Sequence, residues 1–264
     1  MSQRESIRTG ERTSLFQTER QRKILALVDL DGAVEVADLA ARFGVTTETI
    51  RRDLSELQEK HLLQRVHGGA VSWAAFEPLV AKRDDAYDED KRRIAARAVE
   101  ELPDGGSIMI DAGSTLTRFA EAIPRGRNLH VVTNSLPTAQ ALSKADVAGV
   151  SILGGEVRSQ TLSVVDAQAV DAVQRLNVDV LFISTDGATE TGLSTPYTFE
   201  ASIKQAMLRS ASQVVALVDP SKFGHDHLVR FGTWADIDIL ITGTEVDDAM
   251  LDAVRSHGVD VITV

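Results

Sequence analysis

A small three-helix head closed by a β-hairpin, followed by a larger body of alternating strands and helices, is the fold class that the sequence predicts. Three observations carry it. Within residues 18–73, three stretches with helical spacing of apolar residues are separated by glycines and followed by two strand-like runs about Gly68-Gly69. From Lys91 onward, β-branched apolar runs alternate with helical stretches, the pattern of a mostly parallel sheet covered by helices on both faces. The charge balance also changes along the chain. Residues 1–70 hold 11 of the 28 Lys and Arg and 11 of the 39 Asp and Glu, so the remainder carries the whole net charge of −11.

The head reads in order as follows. Residues 1–17 form a polar, flexible tail with Arg4, Arg8 and Arg12. Thr18 is placed to cap a helix from Glu19 to Leu30 that buries Ile24, Leu25, Leu27 and Val28 and ends before Gly32. A short helix over Val36–Phe43 buries Leu39 and Phe43 and stops at Gly44. A third follows Thr46 and runs to Lys60; Ile50, Leu54 and Leu57 fall on one stripe, which turns Thr47, Glu48, Arg51 and Arg52 outward. Leu62–Val66 and Ala70–Trp73 flank a Gly-Gly turn as a hairpin.

This order predicts a winged helix-turn-helix, whose third helix enters the major groove of DNA. Arg51 and Arg52 suit guanine edges or phosphate. Thr46, Thr47 and Thr49 stand at the helix N-terminus, where free N–H groups also favour phosphate. Arg65, His67, Gly68 and Gly69 are the candidate wing contacts. Each residue alone has a plainer reading: the arginines as a solvated face paired with Glu48, Asp53 or Glu56, and His67 as a polar turn residue. The order of elements tips the balance toward DNA.

Residues 74–89 read as a linker and 90–264 as a second domain. Strands are expected at 107–111, 129–133, 149–153, 179–184, 213–219, 238–242 and 259–264, and helices at 91–101, 115–122, 136–144, 167–175, 199–211 and 247–257. Ligands of open α/β sheets bind beyond the carboxyl ends of strands. The candidate ligand residues stand there. Asp111, Gly113, Ser114 and Thr115 form a turn opening a helix, either a phosphate cradle or a plain capped turn. Asn134 and Ser135 follow the next strand, Gly154 and Gly155 the third, and Asp186 and Gly187 the fourth. Lys204 and Lys222 are candidates for phosphate charge; Asp111 and Asp186 are candidates for hydroxyls. Neither a G-x-G-x-x-G run nor a P-loop is present, so dinucleotide and nucleoside-triphosphate readings lack support, and no cofactor is expected. His225-Asp226-His227 offers too few ligands for an expected metal site.

The bulk properties bound the function. A chain of 264 residues with 43% hydrophobic content can build a real core. It has no cysteine, which excludes disulfides and thiolate metal sites. No apolar run approaches the roughly 20 residues of a membrane span, and Met1–Gly10 lacks a signal-peptide core, so a cytoplasmic protein is expected.

The run from Val36 to Leu54, with Arg42-Phe43-Gly44-Val45-Thr46 and Thr49-Ile50-Arg51-Arg52-Asp53-Leu54, resembles the N-terminal signature of DeoR-type bacterial repressors, and Leu63–Ala70 resembles that family's wing. Asp111–Thr115, Thr133–Ser135, Gly154-Gly155 and Ser221-Lys222-Phe223-Gly224 are similar to motifs of its sensor domain, so the resemblance spans about residues 18–242. It implies an α+β winged helix-turn-helix head followed by an α/β Rossmann-like sensor domain of the ribose-5-phosphate isomerase/NagB-like type. It also implies a repressor of sugar or polyol catabolism genes, released from its double-stranded DNA operator by a phosphorylated sugar. Asp166 departs from the family's usual glycine and puts a carboxylate near that loop. The rival reading is an active isomerase with Asp186 and Lys204 as base and polarising group; the head argues for a sensor, not an enzyme. Because helix-turn-helix proteins read paired half-sites, a homo-oligomer, dimer or tetramer, is expected.

Overall fold

Three short helices and three short strands build the head: α1 (Gln17–Asp31), β1 (Ala33–Glu35), α2 (Val36–Phe43), α3 (Thr47–Glu59), β2 (Gln64–Val66) and β3 (Gly69–Val71). The computed structural model describes residues 17–59, 63–66, 68–71 and 87–264. The chain divides into two compact units, Met1–Pro78 and Leu79–Val264.

In the head, Ile24 and Val28 of α1, Leu39 of α2, Ile50, Leu54 and Leu57 of α3, and Leu63 and Ala70 beside the hairpin are buried in one cluster. The expected stripe of α3 is therefore its inner face, while Leu25, Leu27 and Phe43 pack only partly buried at the margin. α2 ends where Gly44 takes φ 65, a left-handed conformation that glycine adopts without the steric cost of a Cβ. Thr46 Oγ1 accepts the Thr49 amide at 3.2 Å and caps α3. Thr18, expected as the cap of the first helix, instead lies within α1, which is already helical at Gln17. A buried fork joins α1 to α3: Arg20 Nε donates to Asp53 Oδ2 at 2.5 Å and Nη2 to Oδ1 at 3.1 Å.

The strand β1 was not expected. It pairs antiparallel with β3 on the side away from β2, so the wing is a three-stranded sheet ordered β1-β3-β2.

The second unit consists of α4 (Asp88–Ala98), β4 (Gly105–Ile110), α5 (Ser114–Ala122), β5 (Asn128–Thr133), α6 (Leu136–Leu142), β6 (Gly149–Ile152), β7 (Val157–Arg158), β8 (Ser163–Val164), α7 (Ala167–Val173), β9 (Val178–Ile183), β10 (Gly187–Thr189), β11 (Gly192–Thr195), α8 (Thr198–Arg209), β12 (Ala211–Leu217), β13 (Val229–Gly232), β14 (Ile239–Thr242), α9 (Asp248–Arg255) and β15 (Asp260–Thr263). Seven strands form a parallel sheet in the order β15-β14-β12-β9-β4-β5-β6.

Both faces of this sheet are covered, and the strands show why. Ile108 and Ile110 of β4 and Phe182 of β9 join one buried cluster with Ile94 and Phe119; Met109 and Leu181, one residue out of phase, join the other with Met207 and Trp234. The chain runs from β4 outward through β5 to β6, then returns to place β9 on the other side of β4. That reversal is a topological switch point, and a crevice opens beyond the carboxyl ends of the two strands that flank it. A smaller antiparallel sheet, β10-β11-β13, and the β7–β8 hairpin were not expected. Among the described residues, no helix is long and apolar enough to cross a membrane.

Candidate functional site

At the switch point the chain leaves β4 through Asp111-Ala112-Gly113 and enters α5. Gly113 takes φ 148, a backbone conformation that a side chain would strain. The Thr117 amide donates to the Gly113 carbonyl at 2.9 Å, so the helical ladder starts there and the first amides of α5 have no acceptor within the helix. Ser114 and Thr115 add hydroxyls beside them, and all of Asp111, Gly113, Ser114 and Thr115 line one cleft. Asn134 from beyond β5, Asp186 from beyond β9, Lys204 from α8 and Lys222 from beyond β12 line the same cleft.

Lys204 is buried and forms a salt bridge with Asp111 Oδ2; its ammonium also donates to the Ser184 carbonyl at 2.9 Å and lies 5.3 Å from the Phe231 ring centre. Burial alone would push this ammonium's pKa down, but Asp111, reinforced by Asp186 and Glu200, outweighs burial and holds it above the ordinary lysine value. Lys204 is thus a cation already committed to the protein.

The lining residues that were not anticipated include Thr161, Ser163 and Glu200. Glu200 accepts from Arg158 Nη1 at 3.1 Å, and the Thr195 hydroxyl stands 2.9 Å from Asp186 Oδ2 and 3.1 Å from Glu200 Oε2. The guanidinium of Arg158 lies over the Tyr197 ring at 4.5 Å. Glu200 was legible in principle, because it stands four residues before Lys204 on α8 and so shares its face. Thr161 and Ser163 arrive through the β7–β8 hairpin, which carries no comparable signal.

Four expected ligand residues do not line the cleft. Ser135 caps α6, its hydroxyl accepting the Thr138 amide at 3.2 Å. Gly154 lies outside it as well. A Cβ on Gly155 would fall 2.4 Å from Asp166 Oδ1, and one on Gly187 would fall 2.3 Å from the His225 carbonyl oxygen. Glycine at 155 and 187 therefore serves packing.

Asp166 also has a structural use. Its Oδ1 accepts the Ala169 amide at 3.0 Å, capping α7, and Oδ2 accepts the Glu156 amide at 2.8 Å. These bonds, led by that from Ala169, hold its carboxyl below the usual aspartate range. Asp166→Ala is expected to cost about 1 kcal/mol. Because the folded pKa is depressed, that contribution is present above the ordinary aspartate range and disappears as pH falls through the lowered value. Denaturation midpoints of variant and wild type should therefore converge in acid; a gap that persists there would show that the loss is steric.

In the head, Thr46 and Thr47 are exposed and Thr49 half-buried. The Arg51 and Arg52 side chains are 54% and 82% exposed, paired with Glu48 at 3.4 Å and Glu56 at 3.6 Å. Asp53, the third carboxylate considered for them, faces inward on Arg20. Arg65 is exposed and tied to α3: its amide donates to Gln58 Oε1 at 2.9 Å and its Nη1 to Ser55 Oγ at 2.8 Å. Gly68 is exposed at the turn with φ 83. Gly69 is buried, and a Cβ there would fall 2.1 Å from the Val34 carbonyl oxygen, so this glycine lets β1 pack on β3. His67 lies outside the described residues. His227 Nε2 lies 3.2 Å from the Asp186 carbonyl, and no cluster of three potential metal ligands occurs among the described residues.

Two family models match the chain: a DeoR-like helix-turn-helix domain over residues 20–75 and a DeoR C terminal sensor domain over residues 87–244. The chain is 36% identical to the HTH-type transcriptional regulator GlpR of Haloferax volcanii over 94% of its length and 98% of that protein. It is 30% identical to the glycerol-3-phosphate regulon repressor of Escherichia coli K12, over 91% of its length and 96% of the relative. A ribose 5-phosphate isomerase A from Neisseria gonorrhoeae matches at 22% identity and TM-score 0.37, over 52% of this chain and 53% of that one. With a helix-turn-helix head, an α/β sensor body and full-length relatives of the same build, the chain belongs to the DeoR family of DNA-binding transcriptional regulators.

Proposed function

We propose that this regulator binds a double-stranded operator as a homo-oligomer, through Thr46, Thr47, Thr49, Arg51 and Arg52 with the wing alongside, and acts in the cytoplasm as a repressor of sugar or polyol catabolism genes. A phosphorylated sugar or polyol binds the cleft and lowers operator affinity. The observation that carries this is the convergence at the switch point: the open first turn of α5 and Lys222 suit a phosphate, while Asp111, Asp186 and Asn134 suit hydroxyls. The names of the relatives favour a phosphorylated three-carbon polyol within that class.

The site argues against an isomerase. A general base must be free to take a proton. Lys204 is held protonated and bonded to Asp111, and Asp186 is engaged by Thr195.

An anisotropy titration of an operator duplex against a panel of phosphorylated sugars and polyols tests the proposal. At least one compound is expected to weaken DNA binding by about 1–3 kcal/mol, and its dephosphorylated parent to do nothing. Identical binding curves across the panel would refute it. Lys222→Ala should shift the ligand titration to higher concentration and leave unliganded operator binding as it was; superimposable ligand titrations would remove Lys222 from the site.

A further inference from the structure

One wall of the cleft is made of hydrogen-bond acceptors. Asn134 is buried to 1% exposure, and its Nδ2 donates to the Val164 carbonyl at 3.2 Å. That bond fixes the amide, since a flipped group would set two oxygens against each other. It leaves Asn134 Oδ1 buried with no hydrogen-bond partner, in a residue that lines the cleft. The carboxylates of Asp186 and Glu200 line the same cleft. The Thr195 hydroxyl stands within hydrogen-bond distance of both, and Glu200 also pairs with Arg158 at 3.1 Å. Lys204, which lines the cleft as well, is committed to Asp111 and the Ser184 carbonyl.

A buried acceptor without a donor costs free energy until a donor arrives, and a site built this way penalises any ligand that brings none. Resting on the reading of the cleft as the effector site, we propose that Asn134, Asp186 and Glu200 form an acceptor wall that reads effector hydroxyls. The cleft then takes phosphorylated polyols and sugars and rejects the same skeleton when a hydroxymethyl group is replaced by a carboxylate. In a phosphorylated acid the terminal carboxylate brings no donor and adds negative charge where Asp186, Glu200 and the Asn134 carbonyl oxygen offer only acceptors. Charge selection would thus sit in residues other than those that hold the phosphate.

The test is calorimetric titration of the full-length protein with matched pairs: glycerol 3-phosphate and 3-phosphoglycerate, erythritol 4-phosphate and 4-phosphoerythronate, glucitol 6-phosphate and 6-phosphogluconate, with inorganic phosphate alongside. In the pair whose length fits, the polyol phosphate is expected to bind tighter than the acid by about tenfold or more. Asn134→Ala should erase much of the polyol phosphate's advantage and leave inorganic phosphate unchanged; Glu200→Gln should narrow the gap by admitting the acid. Should Glu200→Gln fail to fold because the Arg158–Glu200 salt bridge is lost, the wild-type pairs and Asn134→Ala still decide. Equal or tighter binding of the acid overturns the acceptor wall while the effector site stands. Failure of every phosphorylated compound, inorganic phosphate included, removes the effector site as well.

Discussion

Replacing Lys204 with Met is expected to cost the second unit about 3–5 kcal/mol of unfolding free energy. The figure follows from what is left behind. Asp111 is 1% exposed, at the end of a sheet strand buried on both faces, and Lys204 is its salt-bridge partner. Without the ammonium, the carboxylate is either charged and uncompensated or forced to take a proton, and each outcome is paid in stability. The Ser184 carbonyl loses a donor as well. Adding Asp111→Asn to Lys204→Met should recover a large part of the loss, because the two residues act as one unit. The lysine's raised pKa sets the pH dependence: its stabilisation is complete below the ordinary lysine range and is lost only as pH climbs through the higher folded value. The lysine itself therefore adds no pH dependence to the penalty around neutral pH. Urea denaturation followed by Trp234, which is buried in this unit, measures it. A loss below about 1 kcal/mol would mean that the pair behaves like a solvated surface bridge.

Arg51→Ala and Arg52→Ala are each expected to weaken operator binding by about 1–3 kcal/mol where the lost contact is to a base. Stability should hardly move. Both side chains are exposed, and their pairings with Glu48 and Glu56 are surface bridges, typically worth about 0–1 kcal/mol. Salt dependence separates the two roles open to each arginine. Loss of a base contact relaxes preference at one operator position; loss of a phosphate contact weakens all sequences alike and flattens the salt slope by about one unit. Wild-type affinity in both variants, with folding intact, would remove these arginines from the interface.

How far the sequence reveals all this depends on the physics of each element. The parallel strands are legible because residues such as Ile108, Met109 and Ile110 are apolar on both faces, and α2 is legible because Gly44 stops it. The strands β1, β10, β11 and β13 are short, and some carry glycine or alanine where a strand usually shows β-branched alternation; tertiary pairing makes them. At the site, strand-end position points to Asp111, Asn134, Asp186 and Lys222. Sequence does not tell a glycine that admits a ligand from one that admits a neighbouring chain, as Gly155 and Gly187 do. Nor does it show that Asp166 is spent on capping α7, a role fixed by the fold of the β7–β8 hairpin next to it.

The claim that the head inserts α3 into duplex DNA is tested most directly by amide hydrogen exchange of the full-length chain, free and bound to an operator selected from random duplexes. The amides of Thr47 and Glu48 come before Ile50, whose amide donates to the Thr46 carbonyl, and so have no acceptor within the helix and should exchange quickly in the free protein. Strong protection of these amides and of the segment through Arg52 on adding operator is the predicted result. Protection confined to other surfaces, with the start of α3 exchanging as fast as in the free chain, would contradict it.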